Sequence, residues 1–162
     1  LCQHLGRDRH YYLFDSFQGL PPAKPIDGIS AINWQKDVTS STYYDNCRAS
    51  YDDAKWIMEQ SGAKNFHLVP GWFEQTMPSF SWSEPIALLR LDADWYDSTM
   101  VCLDNLFDLV IPKGIIIIDD YYAWSGCSRA VHDFLSRRSA TERIRNLGDV
   151  CYLVKMSDSS QN

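Results

Sequence analysis

No CxxC pair occurs anywhere in the 162 residues. The five cysteines, Cys2, Cys47, Cys102, Cys127 and Cys151, are odd in number and widely scattered. That pattern excludes a zinc knuckle and a paired disulfide framework. It leaves reduced thiols in a cytoplasmic protein as the expectation. No apolar run approaches the roughly 20 residues of a membrane helix, so no membrane partner is expected. Basic residues are outnumbered: 15 Lys and Arg against 21 Asp and Glu give a formal net charge of −6. A nucleic-acid binder would want a basic surface, whereas an acidic chain suits a site that collects cations. There is no internal repeat, and no low-complexity stretch beyond the polar tail "SDSSQN" at 157–162. The chain opens at Leu1 without a basic-then-apolar leader, and reads there as cut.

The length allows one domain with a sizeable core, set over 1–156. With 45% hydrophobic and 22% charged residues the composition is that of an ordinary globular protein. "YYLFDSF" (11–17) reads as a buried strand closed by Asp15. Gly and Pro then break regular structure, and about 19–49 reads as a long, lid-like loop. "SYDDAKWIMEQSG" (50–62) is a helix capped by Ser50 and ended by Gly62, with Ala54, Ile57, Met58 and Ser61 facing in. "NFHLVPGWF" and "IALLRLD" are two more strands. "STMVCLDNLFDLVI" is a helix capped by Ser98, with Val101, Leu103, Leu106, Phe107 and Val110 inside, and "PKG" ends it. "IIIID" is the most apolar strand, and "SRAVHDFLSRR" a helix burying Val131, Phe134 and Leu135. "ERIRNLGDVCYLVKM" is a hairpin turning at Leu147–Gly148–Asp149. Alternating helices and continuously apolar strands mean an α/β fold with a mostly parallel sheet, helices on both faces and an antiparallel C-terminal hairpin.

In such a sheet, ligands bind outside the carboxyl ends of the strands. Here those ends carry acids: Asp15 on the first, Asp92 and Asp94 on the third, Asp119 and Asp120 on the fourth. Left bare, clustered carboxylates repel one another and raise their own pKa values. A divalent cation relieves that, and all-oxygen ligation suits Mg²⁺, Ca²⁺ or Mn²⁺ better than zinc. Asp97 and Asp104 read as ordinary helix acids.

Four segments in order, "LFDSFQGLPP", "VPGWFEQTMP", "LLRLDADWYDST" and "IIIIDDYYAWSGCSRAVHDF", resemble the macrocin O-methyltransferase (TylF-like) family across residues 13–134. The resemblance implies a Rossmann-like, S-adenosylmethionine-dependent O-methyltransferase acting on a hydroxyl of a sugar or natural product, with Mg²⁺ as second cofactor. It implies that Asp15, with Ser16 beside it, holds the cofactor ribose, and that Gly71, Trp72 and Phe73 form the turn along the adenine. Asp94 would support cofactor or metal. Asp92, Asp119 and Asp120 would be the metal ligands and Asp92 the proton acceptor, since metal coordination activates a poor nucleophile and a carboxylate takes its proton. Tyr121 and Tyr122 are weaker candidates for lining the acceptor pocket, followed by Arg90, Trp124 and His132. Trp34, Tyr43 and Tyr44 could grip an acceptor from the loop.

One element of that family is missing: the strand and Gly-rich turn expected just before "LFDSF". The expectation is therefore a methyltransferase domain without its first strand, whose neighbours, the strands ending in Asp15 and Asp92, keep unpaired edges. Such edges invite association into a homodimer. Two enzyme readings stand beside it: a DxD glycosyltransferase using Mn²⁺ and a sugar nucleotide, and an aspartyl-nucleophile phosphatase. The first leaves Asp119, Asp120 and "GWFEQTMP" unexplained, and in the second the gap between the acid pairs is too short for a cap and a catalytic Lys. A non-catalytic remnant is the remaining alternative.

Overall fold

The computed structural model describes residues 2–157; all of the polar tail but Ser157 lies outside the described residues. Strands β1 (His10–Asp15) and β2 (Asn65–Pro70) pair in parallel, Asp15 opposite Pro70. Strand β3 (Ile86–Leu91) runs parallel to β4 (Val110–Ile118). The antiparallel hairpin of β5 (Arg145–Leu147) and β6 (Val150–Val154) closes onto β4 through β6. The strands thus form two sheets, β1-β2 and β3-β4-β6-β5. Among the described residues no strand pairs with the second edge of β1 or of β3, the two edges where the sequence predicts a missing neighbour.

Helices α1 (Cys2–Leu5), α2 (Ile29–Lys36), α3 (Tyr51–Gln60), α4 (Phe73–Thr76), α5 (Tyr96–Leu106) and α6 (Ser125–Arg137) connect or flank the strands. The core lies between the four-stranded sheet and α5 and α6. Leu89, Leu91, Ile116, Ile118 and Leu153 meet Leu103, Leu106, Val131 and Phe134 there. Each such burial contributes roughly 2 kcal/mol, so this half of the fold rigidly fixes the ends of β3 and β4. Cys102, Cys127 and Cys151 are buried as free thiols within it.

Three local expectations change. Strand β4 begins at Val110, not after "PKG". Lys113 takes φ +68° and donates its N–H to Lys155 O, while Lys155 N donates to Gly114 O. A Cβ on Gly114 would lie 2.6 Å from Val110 Cγ1 and 2.8 Å from Ile111 O, so glycine alone fits this irregular turn of strand. Ile57, expected inside, is exposed, and Met58 is the buried residue of α3. Ser50 does cap α3, accepting the Asp53 N–H. Ser98 does not cap α5. That helix starts at Tyr96, whose N–H goes to the buried carboxylate of Asp27, 2.7 Å away.

Asp27 belongs to the segment expected as a loop. The segment is an ordered cover carrying α2 and two 3-10 turns, Pro25–Asp27 and Asp45–Cys47. Gln35 ties it internally, donating to Pro21 O and Asn46 Oδ1. Asp27 and the Trp95 Nε1–H donated to Pro21 O, 2.9 Å, tie it to the start of α5.

Candidate active site

The apolar runs of β3 and β4 end side by side, and the Asp119 N–H donates to Leu91 O at 2.9 Å. The acids that follow each run therefore share one end of the sheet. Carboxylate oxygens of Asp92, Asp94 and Asp120 lie within 4.8 Å of one another. The chain reaches this arrangement through a sharp turn. Asp94 adopts φ +54°, and its N–H donates to Asp120 Oδ2 at 3.1 Å, stitching the two strand ends together. Strain of this kind at a non-glycine residue persists where the surroundings hold it. Here they do: Ala93 and Trp95 on either side are buried.

The electrostatics follow from the crowding. Burial, then the charges of Asp120 and Asp92, push the Asp94 carboxyl up to about 7, against the hydrogen bond it accepts from Trp124 Nε1. Burial also raises Asp120, while the backbone N–H of Asp94 pulls it back. The Cys47 thiol is raised by burial and then by Asp94, Asp92 and Asp120, so the cover brings a thiol within the field of the same acids. A site that holds carboxylates at this electrostatic cost, all with oxygen donors, has the chemistry of a hard divalent cation site.

Asp119 lies outside that group. Arg90 donates through Nη2 to Asp119 Oδ2 at 2.5 Å and through Nη1 to Asp92 Oδ2 at 2.8 Å. Of the three expected metal ligands, then, Asp92 and Asp120 come together, Asp94 joins them, and Asp119 is held by Arg90. Asp97 and Asp104 pair with Lys24 and Arg137, in keeping with their reading as ordinary helix acids.

Asp15 ends β1 on the two-stranded sheet, apart from the three-acid group. Its Oδ1 accepts the Phe17 N–H at 2.6 Å, in a turn that Ser16 completes by bonding Gly19 O and the Gln18 N–H. Gly71 donates its N–H to Asp15 O, holding the "GWF" turn beside that carboxylate. At φ +137° Gly71 sits where a side chain is strained, and a Cβ there would lie 2.8 Å from Thr76 Cγ2. Trp72 precedes α4 and remains partly accessible, whereas Phe73 packs against the core.

Around the acids the aromatic residues form a wall. Trp124 meets Trp95 and Trp34 edge to face, at 5.2 and 5.8 Å between ring centroids, and Tyr43 lies against Trp34. Tyr121 donates to or accepts from His132 Nε2 at 2.9 Å and meets the exposed Tyr122 edge to face. An open groove of about 570 Å³ runs between the cover (Ile26, Gly28) and α6 (Ser125, Arg129, His132). Asp27's part leaves no local signal, because its partner Tyr96 lies 69 residues away. Trp124 carried a weak signal: an aromatic residue four positions after an acid pair.

A family model described as "Macrocin-O-methyltransferase (TylF)" matches residues 1–155. The chain is 30% identical over 151 residues to the 8-demethyl-8-(2,3-dimethoxy-alpha-L-rhamnosyl)-tetracenomycin-C 4'-O-methyltransferase of Streptomyces olivaceus, covering 91% of this chain and 55% of that protein. It is 31% identical over 143 residues to the mycinamicin III 3''-O-methyltransferase of Micromonospora griseorubida, covering 85% and 54%. The chain spans about half the length of the curated relatives it matches. Among solved structures, the O-methyltransferase NovP superposes with a TM-score of 0.77 at 25% identity, over 95% of this chain and 63% of that one. A calicheamicin methyltransferase shares the fold, with a TM-score of 0.67 at 20% identity, over 90% and 60%. Among the described residues no helix is long and apolar enough to cross a membrane.

Proposed function

The chain belongs to the macrocin O-methyltransferase family, and we propose that it serves methyl transfer from S-adenosylmethionine to a hydroxyl of a sugar or related natural product, assisted by Mg²⁺. The observation that carries the metal-assisted part is the meeting of Asp92, Asp94 and Asp120 within 4.8 Å at the ends of β3 and β4.

Asp92, Asp94 and Asp120 would hold the cation. When bound, Mg²⁺ would lower the pKa of the acceptor hydroxyl and orient it. Of the three acids, Asp92 is the most open to an incoming hydroxyl: it is exposed, whereas Asp94 and Asp120 are half-buried. Asp92 therefore takes the hydroxyl proton in this reading, through the oxygen not engaged by Arg90. Asp15 fits a ribose: Oδ1 is anchored by the Phe17 N–H, which leaves Oδ2 to accept from a vicinal diol. Trp72, beside Gly71, offers a ring to the adenine. The groove between the cover and α6 has room and hydrogen-bonding groups for a glycosyl acceptor, and His132 on its wall bonds Tyr121, the residue that follows Asp120. The tetracenomycin relative is named for a rhamnosyl-bearing natural product of this sort.

The test is transfer of a labelled methyl group from S-adenosylmethionine to a panel of glycosylated natural products, with Mg²⁺ and with chelator. Methylation that chelator abolishes is expected. Sugar transfer from a nucleotide sugar with Mn²⁺, and no methylation, would replace this reading with the glycosyltransferase one.

A further inference from the structure

We infer that Arg90 is a built-in counter-cation of the acid site, a positioning residue that holds Asp92 and Asp119 in place of metal and sets how tightly a divalent cation binds. The inference rests on the metal-assisted reading above and concerns a residue which that reading leaves out.

Three observations carry it. First, Arg90 does not bond one acid but spans two, one from each strand end: Nη1 to Asp92 at 2.8 Å and Nη2 to Asp119 at 2.5 Å. The planar fork suits that bridge, and lysine could not span it in the same way. Second, Asp92 is shared. One of its oxygens lies in the three-acid group and Oδ2 lies on Arg90, so the guanidinium stands beside the position a cation would take. Third, the bridge is open to water: the side chains of Arg90, Asp92 and Asp119 are 50%, 53% and 40% exposed. Exposed ion pairs contribute little net stability. Arg90 can therefore yield to a divalent ion without loss of the fold. Its proximity still opposes that ion by charge repulsion and withholds Asp119 as a ligand. Arg90 lies near the end of β3 and Asp92 directly follows that end, two residues on, within reach of the same guanidinium.

The test is calorimetric titration with Mg²⁺ of the wild-type chain, Arg90→Met and Arg90→Lys, each checked for folding by circular dichroism. Arg90→Met should bind Mg²⁺ about tenfold more tightly, the effect of one nearby unit charge on a divalent ion in a hydrated site. Arg90→Lys, which keeps the charge and loses the bridge, should fall between. A second readout uses the wild type alone: saturating Mg²⁺ should shift the guanidinium nitrogen resonances of Arg90. Equal or weaker binding by Arg90→Met, with wild-type binding intact, overturns this inference and leaves the metal-assisted reading standing. So do Arg90 resonances that saturating Mg²⁺ leaves unmoved. Absence of Mg²⁺ binding in both wild type and Arg90→Met overturns the two together.

Discussion

The indole of Trp124 donates its Nε1–H to Asp94 Oδ1 at 2.9 Å, which makes one aromatic residue the support of the most crowded acid in the site. Trp124→Phe keeps one aromatic ring between Trp95 and Trp34 and deletes the donor together with the second ring of the indole. Loss of one bond to a charged acceptor is worth about 1.5 kcal/mol, roughly tenfold in an equilibrium. Mg²⁺ affinity should fall by about that factor, because the proton then competes better for Asp94. Calorimetry checks this, with a modest fall expected in the thermal midpoint from the lost ring volume.

Stability should depend on pH through Asp94. Its folded pKa, about 7, lies above the ordinary value of 3.8, so folding binds a proton. The contribution of this group is fully present below the ordinary value and is lost as pH rises through about 7. Metal-free protein should therefore melt at progressively lower temperature as pH is raised from about 5 to about 8, relative to Asp94→Asn. Added Mg²⁺ should flatten the slope by binding the deprotonated group. A midpoint insensitive to both changes would contradict the crowding argument.

The cover should be fastened chiefly by Asp27. This carboxylate is only 3% exposed, and it accepts the Lys24 and Tyr96 N–H groups at 2.7 Å each. Asp27→Ala removes the cap of α5 and leaves two donors unmet, a cost of about 2 kcal/mol. Denaturant unfolding measures the loss, and faster proteolysis within 19–49 should accompany it.

Gly126→Ala should loosen the same junction from the opposite side. A Cβ at Gly126 would lie 2.5 Å from Asp27 Oδ1, 2.8 Å from Asp27 Cα and 3.1 Å from the Tyr96 nitrogen. Two of these are backbone atoms, so the start of α6 must shift, at a cost of about 2 kcal/mol. Unfolding midpoints equal to wild type would show that the contact yields freely.

The strands, the larger helices and the gathering of acids at the sheet edge were legible because each rests on local pattern. Ile116 and Ile118 are fully buried, and the acids that follow such a run emerge at its end. What escaped was set by distance in the chain. The N-terminus of α5 is capped by a carboxylate 69 residues away, so the nearer Ser98 had no claim on it. The first residues of β4 contain Pro112, Lys113 and Gly114, which signal a break. Pairing with Lys155 keeps them in the sheet. Among the acids, spacing alone could not tell which of Asp94 and Asp119 turns toward Asp92 and Asp120. That choice is made by the left-handed turn at Asp94 and by the fork of Arg90.

The measurement that tests the central claim most directly is calorimetric titration of the folded chain with S-adenosylmethionine, for wild type and Asp15→Ala, each with and without Mg²⁺. The account predicts saturable binding by wild type. It predicts binding about tenfold weaker in Asp15→Ala, the loss expected from one charged hydrogen-bonding partner, with Mg²⁺ binding unchanged. A folded wild-type chain that ignores S-adenosylmethionine, or one that instead binds a sugar nucleotide with Mn²⁺, would contradict it.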